Sequence, residues 1–241
     1  MQLKKFPQKN KHKHQKMSRF ISIEKSLRSE GFSFIAGIDE VGRGPLAGPV
    51  VSAAVILKNN AKIPGLKDSK QLTKAQREAL FPIIMKNALD YAIAIVSHKT
   101  IDEINIANAI RLANKMCIDH LEKTPDMVLI DGRDKQILDI PYKTIIKGDT
   151  KVKCIAAASV LAKVMRDKLM EKYAKEFPIY NFEKHVGYGT REHRTLIGRY
   201  GPCEIHRMSY NWNLIVKPGN TLSQEITEQK TLEMKGFLKE G

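Results

Sequence analysis

The sequence predicts a mixed α/β fold: a five-stranded sheet flanked by helices, with a helical region at the C-terminal end. Three observations lead there. Five short apolar runs have strand length, several longer stretches carry apolar residues at helical spacing, and the two kinds alternate along the chain without an internal repeat.

Phe34, Ile35, Ala36 and Ile38 form the first run, which Gly42, Gly44 and Pro45 break. Residues 50–57, VVSAAVIL, form a second, bounded by Pro49 and by Lys58, Asn59 and Asn60; the short connection predicts an antiparallel pair. Residues 66–88 read as a helix with Asp68 or Ser69 as cap and apolar residues at Leu72, Ala75, Ala79 and Leu80. Pro82 either kinks that helix or restarts it. The third strand is expected over 90–97. A helix over 100–121 follows, with a stripe at Ile101, Ile104, Ala107, Ile110, Leu112, Met116 and Cys117 and a capping box of Thr100 with Glu103. MVLID, residues 127–131, is the fourth strand and ends in a carboxylate before Gly132. Residues 142–149 repeat that arrangement as the fifth, ending at Asp149. Ile155, Ala158, Leu161, Ala162, Met165, Leu169 and Tyr173 then mark a long amphipathic helix, ended by Pro178.

With 42% hydrophobic residues in a chain of 241, a proper core is within reach, either as one large domain or as a domain with appendages. The net charge of +15 is unevenly spread: residues 1–30 net +7, residues 31–216 net +8, and residues 217–241 net zero. We therefore divide the chain into a basic, disordered arm (1–30), a folded domain (31–216) and a polar tail (217–241). A basic body with a more basic arm points to a polyanionic partner, most simply nucleic acid. No stretch approaches the ~20 apolar residues that span a membrane, and the N-terminus lacks the apolar run of a secretory signal. Cys117, Cys154 and Cys203 are widely spaced and form neither a zinc pattern nor a disulfide framework. A soluble cytoplasmic protein is the expectation.

The chemistry centres on carboxylates. Asp39 and Glu40 close the first strand, Asp131 the fourth and Asp149 the fifth. Taken singly, each reads as a solvated turn residue. If those strands are neighbours, however, the four converge at one sheet edge, where each raises its neighbours' pKa and a divalent cation would compensate them. Adjacent strand residues face opposite ways, so Asp39 and Glu40 can share one site only if the backbone departs from regular geometry at Glu40. Hard oxygen ligands suit Mg²⁺ or Mn²⁺, and two such ions can serve phosphodiester cleavage.

GIDEVGRGPLAGPVVSAAVIL, LKDSKQL, LIDG, KGDTKVKCIAAASVLAKVMRD and HVGYGTREHRTLIGRYGPCEIHRMSY, in that order over residues 37–210, resemble bacterial ribonuclease HII. The resemblance implies a ribonuclease H-like fold and metal-dependent endonucleolytic cleavage of the RNA strand of RNA–DNA hybrids, leaving 5′-phosphate and 3′-hydroxyl ends. It also implies incision 5′ of single ribonucleotides embedded in duplex DNA. Two Mg²⁺ or Mn²⁺ ions would be held by Asp39, Glu40, Asp131 and Asp149. Asp167, the other candidate for the fourth acid, is expected to be a solvated helix-face residue. Type HIII would carry a substantial domain ahead of the catalytic motif, where only about thirty mostly polar residues stand here.

The same resemblance assigns substrate contacts. Gly42, Arg43 and Gly44 would read the ribose 2′-hydroxyl through the backbone, and glycines permit that approach. Tyr188 would pack on the sugar at the RNA-to-DNA junction and Lys70 would touch a phosphate. His193 and Arg194, with Arg199, would line a face contacting the nucleic-acid backbone. His193 and His206 are not expected to bind zinc, for want of partners at suitable spacing. The expected protein is a monomer acting without a protein partner. The rival reading is a basic, non-catalytic nucleic-acid-binding module; a P-loop phosphotransferase is excluded by the absence of GxxxxGK[ST].

Overall fold

The computed structural model describes residues 23–210, so the expected tail and residues 1–22 of the arm lie outside the described residues. Five strands, β1 (Ile35–Val41), β2 (Val50–Leu57), β3 (Ala88–Val96), β4 (Met127–Asp131) and β5 (Tyr142–Ile145), form one sheet in the order β3-β2-β1-β4-β5. The β1–β2 and β2–β3 pairs are antiparallel, and β1–β4 and β4–β5 are parallel. This is the expected mixed sheet, and β1 and β4 are indeed neighbours, with Ile38 opposite Ile130.

The sheet is covered on both faces. Ile35, Val51, Ala53, Val55 and Leu129 pack toward the helices α2 (Lys74–Asn87) and α5 (Lys153–Glu176). The alternate residues, Ala36, Ile38, Ala54, Ile56, Val128 and Ile130, pack with Cys117 and Ile118 of α3 (His98–Asp119). Strand β2, interior to the sheet, is buried along its whole length, so its run of Val, Ala and Ile carries no polar alternation. A third cluster joins Leu46 and Ala47 to Met170 of α5, to Tyr180, to Phe182 of α6 (Phe182–His185), to Ile197 of α7 (Arg191–Tyr200) and to Ile205. It welds the C-terminal helices to the loop that leaves β1.

The structure corrects several expectations. Part of the segment expected as a disordered arm is helix α1 (Ile23–Ser29). Its Leu27 is buried, and its Glu24 carboxylate accepts the Cys154 N–H in the first turn of α5, where the helix dipole favours an anion. Neither Asp68 nor Ser69 caps α2: Asp68 caps a short 3₁₀ turn over Ser69–Gln71, and α2 starts after Thr73, in a capping box with Gln76. Pro82 lies inside α2, which continues through it; the carbonyl left without its N–H belongs to exposed Glu78. Ser97, rather than Thr100, caps α3. That helix is interrupted at Asn105 (φ 65°), whose side-chain oxygen accepts the N–H groups of Ala107 and Asn108 and so recaps the second piece. Strand β5 stops at Ile145, and Asp149 sits on a single helical turn, α4 (Gly148–Lys151).

One close approach sets the depth of the fold. A Cβ built on Gly37 would stand 2.4 Å from the carbonyl carbon of Cys154 and from the amide nitrogen of Ile155, so β1 and α5 meet backbone to backbone. Backbone cannot yield as a side-chain tip can. Gly37→Ala is therefore expected to lower stability by about 3 kcal/mol, read as a drop in the thermal or urea unfolding midpoint.

Candidate active site

The parallel pairing of β1 and β4 sets Asp39 and Asp131 side by side at the strand ends. Asp149 comes in from α4, where Gly148 donates its N–H to Asp131 Oδ1 at 2.6 Å. Carboxylate oxygens of Asp39, Asp131 and Asp149 all lie within 4.8 Å of one another. No side chain could replace Gly148 without displacing Ile155, since its Cβ would fall 2.7 Å from Ile155 Cδ1.

Glu40 stands outside this group of three. Strand β1 keeps its regular pairing through Glu40 and Val41, so the departure that would turn both side chains to one side does not occur. Asp39 faces α5, and Glu40 faces α3, lining a cleft of about 230 Å³ with Arg43, Ile110, Asp131, Gly132, Arg133, Asp134 and Gln136. Asp131 borders both sides.

The electrostatics follow from burial. Asp39 is almost fully buried, and its pKa is raised well above the usual carboxylate range by desolvation first and then by the charges of Glu40, Asp131 and Asp149. The Ser159 hydroxyl donates to Asp39 and opposes the shift. Glu40 is pushed up to about 7 by burial, with Arg43 opposing and Asp131 and Asp134 adding to it. Asp149 is pushed up to about 6 by burial and by Asp131 and Asp68, against Lys70. Lys70 Nζ lies 3.7 Å from Asp149 Oδ2. Burial works against its ammonium, but Asp149, Asp68, Asp39 and Asp131 prevail and raise its pKa.

Asp39 is held from behind. It accepts its neighbour's N–H, from Glu40, at 2.8 Å. Ser159 in turn is 2.8 Å from Ser69 in a buried hydroxyl pair.

The loop between β1 and β2 is fixed by two arginines. Arg166 and Arg207 are each 0% exposed and meet no carboxylate at ion-pair distance among the described residues. Arg166 donates to the carbonyls of Pro49, Ala47 and Val186. Arg207 donates to those of Gly42, Arg43, Gly48 and Pro49 and to the Tyr210 hydroxyl. Burial and the facing Arg207 bring Arg166 down to about 10, still cationic at neutral pH. Gly42 (φ 111°) has no room for a Cβ, which would meet Arg166 Nε at 2.6 Å and Pro49 O at 2.7 Å.

The remaining expected contacts divide. Arg43 is half exposed, ion-paired to Asp134 and 3.7 Å from Glu40. Tyr188 presents an exposed ring, and a Cβ on Gly44 would lie 3.6 Å from its Cε1, so the tyrosine stands over the glycine loop. Arg194 and Arg199 are exposed on α7. His193 is not: it is completely buried, because α7 turns that residue inward against Phe182, His185 and His206, and it cannot touch a phosphate. Asp167 is not solvated either. It is buried between Lys163 at 2.7 Å and Arg77 at 3.4 Å, and lies outside the acidic group.

Ser159, Asp134, Arg166 and Arg207 escaped the sequence reading. One signal was available: Arg166 continues the four-residue spacing of Ala158, Ala162 and Met170, all buried, so it falls on the apolar stripe of α5.

Comparison with known proteins bears on this arrangement. The family model for Ribonuclease HII matches residues 36–213. The chain is 52% identical over 196 residues to a ribonuclease HII of Caldicellulosiruptor saccharolyticus, covering 81% of this chain and 96% of that one. It is 48% identical over 203 residues to that of Bacillus pumilus, covering 84% and 80%. Among solved structures, the ribonuclease H2 of Pyrococcus horikoshii superposes with a TM-score of 0.65 at 27% identity, over 74% of this chain and 94% of that one. The Archaeoglobus fulgidus RNase HII, solved in a complex with PCNA, gives 0.64 at 25% identity, over 74% and 95%.

Replacing a buried guanidinium with a hydrocarbon strands the carbonyls it held. Arg207→Leu is expected to destabilise the protein by about 3–5 kcal/mol, measured by chemical denaturation.

Proposed function

The chain belongs to the ribonuclease HII family and is a metal-dependent endoribonuclease, and from that premise we propose its substrate and the residues that serve it. It cuts the RNA strand of RNA–DNA hybrids and incises on the 5′ side of single ribonucleotides in duplex DNA, leaving 5′-phosphate and 3′-hydroxyl ends. The observation that carries the reading is the group formed by Asp39, Asp131 and Asp149, with Glu40 on the far side of Asp131.

These residues fit divalent cations. The donors are all hard carboxylate oxygens, suited to Mg²⁺ or Mn²⁺. Burial and mutual repulsion have raised the pKa values of Asp39, Glu40 and Asp149, a cost that a bound cation relieves. Asp39, Asp131 and Asp149 would hold one ion, and Glu40 with Asp131 would share in a second. Bound there, the pair supplies Lewis-acid activation of water and stabilisation of the leaving oxygen. No side-chain nucleophile is called for, and Ser69 and Ser159 serve only to orient Asp39.

The rest of the chain binds and orients. The loop of Gly42, Arg43 and Gly44 brings backbone groups against the ribose 2′-hydroxyl, the feature that distinguishes RNA from DNA. Arg207 holds the carbonyls of Gly42 and Arg43, and Arg166 those of Ala47 and Pro49 farther along the same loop. Tyr188 stacks on the sugar at the junction above Gly44. Lys70, exposed at its tip and next to Asp149, takes a phosphate oxygen, and Arg194 contacts the backbone farther along. The protein works as a monomer in the cytoplasm.

A denaturing-gel assay on duplex DNA with one embedded ribonucleotide tests the reading. Wild type is expected to incise 5′ of the ribonucleotide with Mg²⁺ or Mn²⁺ and not in EDTA, and Asp131→Asn to lose at least about 10³-fold in rate. Folded wild type that binds the duplex but never cuts it would leave only the binding-module reading. A second expectation concerns metal linkage. Because raised carboxylate pKa values stabilise the folded protein when protonated and cost stability once pH passes through about 6 and 7, the rise in melting temperature produced by Mg²⁺ should grow from pH 5 to pH 8. Asp39→Asn should raise the melting temperature in EDTA and blunt that rise.

A further inference from the structure

His193, excluded from the nucleic-acid face by burial, belongs to a chain of three histidines from three segments: His185 ends α6, His193 lies in α7 and His206 follows it. The rings of His185 and His193 stack with centroids 4.2 Å apart, and those of His193 and His206 are 5.2 Å apart.

The hydrogen bonds assign their protons. His193 Nδ1 is 2.9 Å from the Tyr188 carbonyl, which can only accept, so Nδ1 carries the hydrogen. In a neutral ring Nε2 is then bare, and the His206 Nε2 facing it at 3.1 Å must donate. That leaves His206 Nδ1 to accept the Cys203 N–H at 2.8 Å, with the Cys203 thiol at 3.1 Å and the Cys203 carbonyl at 3.2 Å beside it. His185 obeys the same logic: Nε2 donates to the Tyr180 carbonyl at 2.8 Å and Nδ1 accepts the Gly187 N–H at 3.3 Å. With both nitrogens of every ring engaged, the cluster offers no lone pair to a metal.

What the chain holds is the backbone around Tyr188. His185 takes the N–H of Gly187, its own carbonyl accepts the Tyr188 N–H at 2.9 Å, and His193 takes the Tyr188 carbonyl. That backbone needs holding. Val186 has φ 45°, costly for a β-branched residue, and Gly187 has φ 86° with no room for a Cβ, which would meet Ala47 O at 2.6 Å. The Gly187 carbonyl in turn accepts the Leu46 N–H, tying the segment to the glycine loop.

We propose that His193, backed by His206 and flanked by His185, is a positioning residue that fixes the Tyr188 ring over Gly44 by a neutral, proton-ordered hydrogen-bond chain. The inference rests on Tyr188 contacting the substrate. With His206 protonated on Nε2, a proton added to His193 would set two N–H groups against each other across the 3.1 Å gap. Burial, helped by His185 and His206, lowers His193 to about 4, and burial lowers His206 likewise to about 4. The groups facing the chain are Glu183, Lys184 and Glu192 beside His185, and His98 and the Cys203 thiol beside His206; burial pushes that thiol up to about 11.

The test uses the full chain on single-ribonucleotide duplex with Mg²⁺. An asparagine amide reaches the Nδ1 position and a glutamine amide the Nε2 position, so His193→Asn keeps the donor to Tyr188 and His193→Gln does not. Gln is expected to lower kcat/KM about 10-fold and Asn less than about 3-fold, with neither lowering it further in a Tyr188→Ala background. Equal losses for the two variants, or losses that add to that of Tyr188→Ala, overturn the positioning role and leave the contact by Tyr188 intact. Full cleavage by Tyr188→Ala overturns the contact itself, and the positioning role with it. Should the variants fail to fold, ¹⁵N NMR of histidine-labelled wild type decides. His193 protonated on Nδ1 and His206 on Nε2, both neutral from pH 6 to 8, is the expected pattern, and the opposite tautomer at His193 overturns the proposal.

Discussion

Two buried cations, with no carboxylate at ion-pair distance among the described residues, hold this molecule's glycine loop in place. Arg166 comes from the helix that packs against the sheet, Arg207 from the segment after the last helix, and both spend their donors on the carbonyls of one loop. Hydrogen bonds from a charged donor are worth roughly 1.5–3 kcal/mol each, and several converge on each guanidinium, so the desolvation of two charges is offset locally. The result is a glycine loop that is open in sequence and rigid in space. Arg166 also holds Val186, so the same side chain sets the loop against the segment that bears Tyr188.

The acidic group shows the opposite economy. Asp39, Asp131 and Asp149 are pressed together, Asp39 and Asp149 buried, and among the described residues Ser159, Lys70 and the N–H groups of Glu40 and Gly148 oppose their repulsion. An arrangement that destabilises the chain by itself yet is held in place by the sheet and α5 is strain kept for a purpose. It is also why the site is rigidly backed: β1 and β4 are interior strands, and Gly37 lets α5 press directly on β1.

The C-terminal helices complete the site and contribute no acid to the group of three. Their buried aromatic and histidine cluster presents Tyr188 on one side and is locked to the glycine loop on the other, through the Ala47–His206 bridge and the Leu46–Gly187 hydrogen bond. The acidic group and the Tyr188–glycine-loop surface thus come from distant stretches of chain that share one packed interior.

Much of this was legible in the residues. Apolar runs and helical stripes defined the strands, including β2 and β4 to the residue, and carboxylates at strand ends pointed to the edge where Asp39 and Asp131 meet, because periodicity and strand ends are local properties. What sequence could not decide was which face each side chain takes and what meets it there. Glu40 parted from Asp39 because β1 stayed regular through Val41. Asp149 joined the group from a helical turn, because β5 ended four residues earlier. His193, Asp167 and Arg207 look like surface residues in a polar stretch, and Arg166 shows only its place on the α5 stripe, yet each is buried with at least one partner supplied by another segment. Charge and hydropathy along the chain set what must be buried on average; only the tertiary packing decides which polar group can be, since that depends on whether distant backbone arrives to satisfy it.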